Sequence, residues 1–471
     1  MPVADVTDAV TRWSNQQQLY RLYSDYYRGR HELKFSSAQF ASQQARTILS
    51  ETVMALRENL CPAAVSAFTD GIGIASWGDD AADKAADDLG LSRLEAFVNR
   101  AGFRDGDAFA IVWPTADNKG NTVLFQQPAA MVPTVDPDNL GVLSCCARIW
   151  VDNIHHGRVN LYYPDRLERW VTVDPVRHSA EDAPNMPAGA DQWRPDPDSD
   201  IVPHTFGAVP VCWWKRDPES QLSHGNSVLA DVIPLQDAMN KMLADLIITS
   251  EDWSRPMLYL LNHAEQSATN PYIAAQQAGA AEKQAKPRKF NRDRQQIFTT
   301  DGPGPFGRLD PPDLTRLNQV QQSFTDRVAH VVGVPSYYFA MGGDVPSGES
   351  LRVLSTRRTA AIQAWQRDAA PVWKGLAELL GMQGANIAWR DAMPLDAVEK
   401  ITVAVAKRRD LGYALSDAIA GLGEPDAAGI VERAAAESAQ SATSMAQAFM
   451  DGQGAAGQGY TDTTGANTTV D

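Results

Sequence analysis

The chain has 471 residues, of which 44% are hydrophobic and 21% are charged. This composition is ordinary for a folded protein and excludes a disordered or fibrous chain. The net charge of −16 argues against tight general binding of nucleic acid, because proteins that grip phosphates usually present a basic face. The four cysteines are too few for a disulfide framework in a chain of this length, and we expect them to be reduced.

The start of the chain predicts helices rather than a secretion signal. Met1–Asp5 has neither the basic nor the apolar region of a signal peptide, and no run of 18 apolar residues predicts a membrane span. Residues 5–35 predict a helix, and residues 42–70 predict a second one, which Pro62 is expected to bend or interrupt. A further helix is predicted near 91–102.

A β-rich region follows, in which runs of strand-forming residues alternate with turn residues. These runs predict one antiparallel unit of about six strands. The predicted strands are Asp107–Trp113, Thr122–Gln127, Ala130–Val135, Val142–Val151, Arg158–Tyr163 and Glu168–Val173. Residues 174–203 are rich in Pro, Asp and Ala and predict a surface loop, and Gly207–Trp214 predicts one more strand.

Two helices with narrow apolar stripes are predicted in the second half of the chain. In residues 226–252 apolar positions recur at steps of three and four, and Pro234 is expected to kink that helix or mark its start. The second helix is predicted from Asp310, an N-cap followed by proline, to about Gly333. The stripes are Leu229, Val232, Leu235, Met239, Leu243 and Leu246, and then Leu314, Leu317, Gln321, Phe324, Val328 and Val331.

The segment 254–309 between these helices mixes strand-like and polar sequence. Pro256–Leu261 and Ile297–Thr299 predict strands, and Asp301–Pro305 predicts a turn. Between the strands lies a basic cluster that is dense for an acidic chain. Its members are Lys283, Lys286, Arg288, Lys289, Arg292 and Arg294. They either bind DNA backbone or a protein partner, or form a solvated loop.

After the second helix, the loop 334–347 mixes large aromatic residues with glycines, which is unusual for a simple connector. A long helix is predicted at 348–380, and two or three shorter helices are predicted at 395–450. The tail 451–471 is expected to be disordered, and no Lys or Arg occurs from Ala434 onward. The cations that lie off the apolar stripe of the long helix are Arg352, Arg357, Arg358, Arg367 and Lys374.

Four stretches in a fixed order carry a family resemblance. The first contains Leu19–Tyr27, Asn59–Pro62 and Asn160–Asp165; the second runs from Gly207–Trp214 into Gly225–Asn240; the third joins Val334–Pro335 to Gly342–Asp344 and Ser347–Ser350; the fourth is the long arginine-bearing helix. Each stretch is weak alone. Their order and spacing, over roughly residues 7–430, resemble the portal proteins of tailed bacteriophages, especially the siphophage type.

The resemblance implies an α+β portal fold with a β-rich wing, a helical stem, a small α/β clip, a long linking helix and a helical crown. The implied segments are a wing at 1–225, stem helices at 226–253 and 310–333, a clip at 254–309, a tunnel loop at 334–347, a linking helix at 348–389, a crown at 390–450 and the tail 451–471.

The resemblance also implies roles for particular residues. In the tunnel loop these are Tyr337, Tyr338, Phe339, Met341, Gly342, Gly343 and Asp344, and in stem packing they are Leu229, Met239, Leu243, Leu246, Leu317, Phe324 and Val328. The basic cluster of the clip would contact DNA or a partner. Alternatively, the loop aromatics pack on the helix below. The arginines of the long helix either touch DNA or, as we expect, form ion pairs between subunits.

The resemblance implies a homo-oligomeric ring of about twelve subunits at one capsid vertex. Double-stranded DNA would pass through it non-specifically during packaging and ejection, and an acidic channel would keep phosphates from sticking. The implied protein partners are the terminase large subunit, the head–tail connector, and the major capsid and scaffolding proteins. The ring would belong to the virion and assemble in the cytoplasm of the bacterial host, without a membrane partner.

Enzymatic motifs are not found in the sequence. The eight histidines form no His-Glu-x-x-His or other metal spacing, and neither a Gly-x-x-x-x-Gly-Lys phosphate loop nor a Gly-x-Ser-x-Gly elbow is present. We therefore expect a structural protein without metal or cofactor. The alternatives are another head–tail junction or minor capsid protein and, more remotely, a hydrolase whose site is assembled from scattered residues.

Overall fold

The computed structural model describes residues 2–31, 58–115, 120–139, 141–177, 184–197, 201–253, 258–261, 297–300, 306–308, 314–339, 348–382, 384–392, 397–420, 422 and 427–456. The chain forms two compact units, Met1–Ala392 and Met393–Asp471. Its helices and sheets together form an α+β fold, which confirms the predicted class.

Helices occur at both ends of the first unit and throughout the described part of the second. The helices of the first unit are α1 (Pro2–Tyr27), α2 (Cys61–Thr69), α3 (Asp80–Asp88), α4 (Leu91–Asp105), α5 (Leu229–Trp253), α6 (Leu314–Val332), α7 (Gly348–Leu354) and α8 (Thr356–Leu379). Those of the second unit are α9 (Ala397–Asp410), α10 (Leu415–Ala420) and α11 (Ala427–Ala456). Pro62 lies in the first turn of α2, where its missing N–H costs no hydrogen bond within the helix.

The strands form four sheets in the described part of the chain. They are β1 (Ile74–Ser76), β2 (Asp107–Pro114), β3 (Asn121–Gln126), β4 (Met131–Val135), β5 (Leu143–Val151), β6 (Gly157–Tyr162), β7 (Arg166–Thr172), β8 (Trp193–Pro195), β9 (Ile201–Pro203), β10 (Val211–Lys215), β11 (Leu258–Leu261), β12 (Ile297–Thr300), β13 (Phe306–Arg308) and β14 (Ala388–Trp389). The sheet orders are β10-β2-β3, β4-β5-β6-β7-β8 with β9 also on β7, β12-β11-β13, and β1-β14.

The six strands predicted as one antiparallel unit divide between two sheets, so the predicted topology is wrong. β2 pairs with β3 and with β10, whereas β4 to β7 belong to the larger sheet. A 3-10 turn at Pro128–Ala130 separates β3 from β4. Pro128 has a fixed backbone angle and no N–H to donate to a neighbouring strand. The chain therefore leaves the first sheet after β3, and β4 begins the larger sheet.

Other predictions also need correction. The predicted loop 174–203 contains β8 and β9, which pair with β7 but are too short to show a periodic pattern. The helix predicted at 348–380 is divided at Ser355 into α7 and α8. In the tail predicted to be disordered, α11 continues to Ala456, as an alanine-rich sequence favours; residues 457–471 lie outside the described residues.

Alternating side chains of β2 face two different cores, which arranges the first unit in layers. Ala108 and Val112 pack in a core with α2, α4 and α8, whereas Phe109 and Ile111 pack against the larger sheet. The apolar face of α1, which includes Trp13, covers the other side of the larger sheet. The layers are therefore helices, the β10-β2-β3 sheet, the larger sheet and α1.

Asp107 is fully buried at the start of β2, where its carboxylate accepts hydrogen bonds from several segments. Tyr20 Oη donates to one oxygen at 2.6 Å, and His224 Nδ1 lies 3.0 Å from the same oxygen. Trp213 Nε1 and the Gly225 N–H donate to the other oxygen at 2.8 and 3.1 Å. Burial and the nearby Asp107 charge raise the pKa of Tyr20, so its hydroxyl remains a donor. These donors replace the water that the buried carboxylate has lost.

The backbone just before β2 packs tightly on the segment that leads into α5. Gly106 has a φ of +89°, and a Cβ at Gly106 or Gly225 would overlap the carbonyl oxygen of the other residue. The Val228 N–H donates to the Phe103 carbonyl at 3.0 Å. The end of α4 therefore fixes the place where α5 begins.

The substitution Asp107→Asn replaces one carboxylate oxygen by an NH2 group, which cannot accept a hydrogen bond. The groups that donate to that oxygen therefore lose their acceptor. We expect the free energy of unfolding to fall by about 1–3 kcal/mol for each donor left buried and unpaired. Chemical denaturation of the purified protein measures the change. Asp138→Asn, at an exposed position between β4 and β5, is the matched control. Equal stability of the two variants would contradict the role given to Asp107.

Burial raises the pKa of Asp105 to about 6, although the Arg104 guanidinium donates to both of its oxygens at 2.8 and 2.6 Å. An unfolded aspartate has a pKa of about 3.9. Between these values Asp105 binds a proton in the folded protein that it does not bind in the unfolded chain, so its contribution to the free energy of unfolding rises as the pH falls from about 6 to about 4. We expect Asp105→Asn to remove this rise. Denaturation curves across that pH range test the expectation, and an unchanged pH dependence in the variant rejects it.

Candidate functional site

The two predicted helices with apolar stripes, α5 and α6, pack against each other. α5 continues through Pro234, so the proline does not mark its start. Of the predicted packing residues, Leu229, Met239 and Val328 are buried, and Leu243, Leu246 and Phe324 are half-buried. The side chain of Leu317 lies outside those described. The role of this pair as the stem of a ring stays a prediction.

A polar joint connects both helices to the chain between α1 and α2. Gln236 of α5 is fully buried; its side chain accepts from the Leu60 N–H at 2.8 Å and donates to the Glu58 carbonyl at 2.5 Å. The Glu58 carboxylate accepts from Gln321 Nε2 of α6 at 2.8 Å. One short segment thus forms hydrogen bonds to both helices of the pair.

A second contact at this joint comes from the end of α1. Tyr26 Oη donates to Asp237 of α5 at 2.5 Å, and the Tyr26 ring stacks on His31 with 3.9 Å between ring centres. Burial and this hydrogen bond raise the pKa of Tyr26. The contacts of Gln236 and Asp237 in α5 were not predicted. The signal that could have found them is that two polar residues lie between the apolar stripe positions Leu235 and Met239.

The segment after α6 packs partly on the body of the subunit. α6 ends before Gly333, which has a φ of +80°, and a 3-10 turn follows at Ser336–Tyr338. The Tyr337 and Tyr338 rings stack with 4.6 Å between centres. Tyr337 is exposed, whereas Tyr338 and Phe339 pack against the main core. Packing of loop aromatics on the body of the subunit was the alternative prediction, and Tyr338 and Phe339 pack in this way.

The remaining predicted tunnel-loop residues, Met341, Gly342, Gly343 and Asp344, lie outside the described residues. The same holds for the whole basic cluster, Lys283, Lys286, Arg288, Lys289, Arg292 and Arg294. Around that cluster the structure describes the small sheet, in which β11 is parallel to β12 and antiparallel to β13. The first two of these strands were predicted, and the third follows the predicted turn. The functions of loop and cluster stay predictions.

Arg358, at the start of α8, lies beneath the segment that follows α6. Its side chain is buried, and Nε donates to the Ala67 carbonyl of α2. A Cβ on Gly71 would overlap the guanidinium, which lies 5.5 Å from the centre of the Tyr338 ring. The expectation that the arginines of this helix pair with other subunits is therefore wrong for Arg358. The helix face that carries it is covered by α2 of the same subunit.

The neighbouring arginine supports the same region from the other side. Arg357 Nη1 lies 3.4 Å from the His330 carbonyl near the end of α6. A cation at a helix C-terminus satisfies carbonyls that have no partner within the helix. Arg367, further along α8, is paired with the adjacent Asp368 at 2.9 Å. The start of α8 thus contacts both the end of α6 and the turn that follows it.

A cavity of about 1500 Å³ opens beside the β10-β2-β3 sheet and α8. The ring of His204 in its wall packs edge-on against Trp113 with 5.7 Å between centres, and burial lowers the pKa of this histidine.

Among the described residues, no cluster of three or more His, Cys, Asp or Glu has a geometry that would hold a metal ion. In the same part of the chain, no helix is long and apolar enough to cross a membrane.

Known structures align with most of the chain at low similarity. A chain from the neck of an empty GTA particle computed with C6 symmetry has 13% identity and a TM-score of 0.44, covering 82% of this chain and 95% of that chain. A chain from the virion of a native gene transfer agent particle has 10% identity and a TM-score of 0.41, covering 82% and 94%. A chain from the neck of a native GTA particle computed with C12 symmetry has 12% identity and a TM-score of 0.40, covering 81% and 94%.

A family match covers the centre of the chain. No curated protein sequence matches significantly. Residues 99–316, however, match the model of a family described as phage portal protein, SPP1 Gp6-like. The matched segment begins in α4, contains both larger sheets, α5 and the small sheet, and ends in α6. Proteins of this family are structural components of virions and not enzymes. Over residues 99–316, just under half of its length, the chain is similar to phage portal proteins of the SPP1 Gp6-like family.

Proposed function

We propose that the chain is a phage portal protein that forms a ring of about twelve subunits at one capsid vertex, through which double-stranded DNA is packaged and later ejected. The ring docks the terminase motor during packaging and the head–tail connector afterwards, and it contacts the major capsid and scaffolding proteins. α5 and α6 form the stem of each subunit, and the segment 334–347 narrows the channel. The subunits assemble in the bacterial cytoplasm.

The family match carries this proposal, and the geometry of α5 and α6 supports it. The two helices pack on each other, and hydrogen bonds from Glu58 and Leu60 fix them to the body. The chain between them holds the small β11–β13 sheet. A packed helix pair whose connecting chain forms a separate small sheet suits a channel wall with a docking element at one end.

Exposed apolar side chains beside this pair support assembly into a ring. Val320 and Val331 of α6 and Val353 and Leu354 of α7 are all exposed in the single subunit. Apolar surface of this kind is typical of a protein–protein interface. A closed ring can bury such surface, because each copy contacts two neighbours.

Mass and shape of the purified protein test the proposal first. Native mass spectrometry with negative-stain electron microscopy should find a closed ring of about twelve subunits with a central hole. A chain that stays monomeric even when the capsid and scaffolding proteins are present would overturn the ring and the channel together.

The net charge of −16 supports a channel through which DNA slides without sticking. We expect Asp344→Lys, in the proposed tunnel loop, to slow packaging because it places a cation where the phosphates pass. The length of DNA protected from nuclease against time measures the rate. Asp138→Lys, on an exposed turn between β4 and β5, makes the same charge change elsewhere. Normal packaging by rings in which every subunit carries the Asp344→Lys substitution would reject an acidic loop while leaving the ring intact.

We expect Arg358→Met to detach the start of the tunnel loop from the body. The substitution removes the hydrogen bond to Ala67 and the cation above Tyr338, which should lower the free energy of unfolding by about 1–3 kcal/mol. Rings should still form, but packaging should slow. Arg367→Met, in the same helix at an exposed position, is the control. Wild-type stability and packaging in the Arg358→Met variant would show that the contact does not position the loop.

A further inference from the structure

The second unit has little core of its own in its described residues. The hydrophobic residues buried there are Ala404, Ala418 and Ala427. Six larger apolar side chains are exposed, namely Ile401, Val403, Val405, Leu411, Tyr413 and Leu415. So much exposed apolar surface within fifteen positions marks a contact with another surface.

Part of this surface forms a groove on α9 and α10. The groove has a volume of about 250 Å³, and its apolar wall includes Ile401, Val405 and Leu415. Arg408 and Arg409 also line it. Arg408 Nη1 donates to the Tyr413 carbonyl at 3.0 Å, which holds this arginine at the groove. A groove of this kind fits the apolar face of a helix that carries negative charge.

α11 has the matching properties and is exposed over much of its described length. Ala427 is buried and residues 429–431 are half-buried, but residues 432–441 are all exposed. A helix of 30 residues is about 45 Å long, so most of α11 extends beyond the turn that packs on α10. Its alanine-rich sequence stabilises the helix without tertiary packing.

One face of α11 continues past the part that packs on its own subunit. Val431, Ala435 and Ser438 follow at steps of four and three. The sequence extends this stripe with Ala442, Met445 and Phe449. A stripe with this repeat packs against another helix. From Ala434 onward the chain carries acidic residues and no Lys or Arg, which complements the two arginines of the groove.

We propose that the groove on α9 and α10 of one copy binds the exposed part of α11 from the neighbouring copy. The contact is head-to-tail: one surface of each copy meets a different surface of the next, as closure into a ring requires. It thus rests on the proposed ring and names a surface that holds adjacent copies together.

Cross-linking between two variants that each carry one added cysteine tests the contact. Val405→Cys protein and Ser438→Cys protein are mixed, assembled into rings and oxidised, so that a covalent dimer forms only between copies. Gln440→Cys is the control, since position 440 lies on the opposite face of α11 from position 438 and is equally exposed. The wild-type protein measures the background from its own cysteines. We expect several-fold more dimer with Ser438→Cys than with Gln440→Cys.

A second pair of variants tests the groove by charge. Val405→Asp places a carboxylate in the groove, whereas Val403→Asp makes the same change on α9 at an exposed position outside it. We expect the first variant to need a higher protein concentration to form rings in native mass spectrometry, and the second to assemble like the wild type.

The outcomes separate the inference from the proposed function. Rings that form with equal cross-linking at positions 438 and 440 would overturn the groove contact and leave the portal ring standing. A cross-link within single chains of the double variant Val405→Cys/Ser438→Cys, with none between mixed copies, would show that the groove binds its own helix and would also overturn the inference. Absence of any ring would overturn both proposals.

Discussion

A carboxylate stays buried only when other groups, such as hydrogen-bond donors, replace the water around it. Asp107 meets this condition at the point where the sheets of the first unit meet the start of α5. Its donors come from α1, from β10 and from residues 224–225. Because they lie on different segments, moving any one segment leaves a buried polar group unpaired. The layers of the first unit and the position of α5 are therefore fixed by the same group.

The same principle continues along the helix pair. Apolar contacts between α5 and α6 tolerate sliding, but the hydrogen bonds of Gln236 and Glu58 are directional. Arg358 adds a buried hydrogen bond below the turn that follows α6. The body of the subunit thus holds the helix pair at both its start and its end.

Sequence periodicity predicted the parts of the molecule that depend on local burial. The stripes of α5 and α6 and most strand bounds could be predicted, because one face of each element is apolar. Which sheet a strand joins depends on long-range pairing; β2 pairs with β10, about a hundred residues later in the chain. The role of Asp107 and the burial of Arg358 were not predicted, for a related reason. A charged residue in the sequence predicts solvent exposure unless its distant partners, such as Trp213 or Ala67, are known.

The two units of the chain differ in how their apolar residues are used. The first unit buries large side chains such as Trp214, Trp373 and Phe103 in its own core, and it carries the elements matched to the portal family. In the described residues of the second unit, the buried hydrophobic residues are alanines, while several larger apolar side chains are exposed. Alanine burial contributes little free energy compared with an isoleucine or leucine. The second unit therefore gains most from contact with another surface, and in a ring every copy can supply that surface to the next.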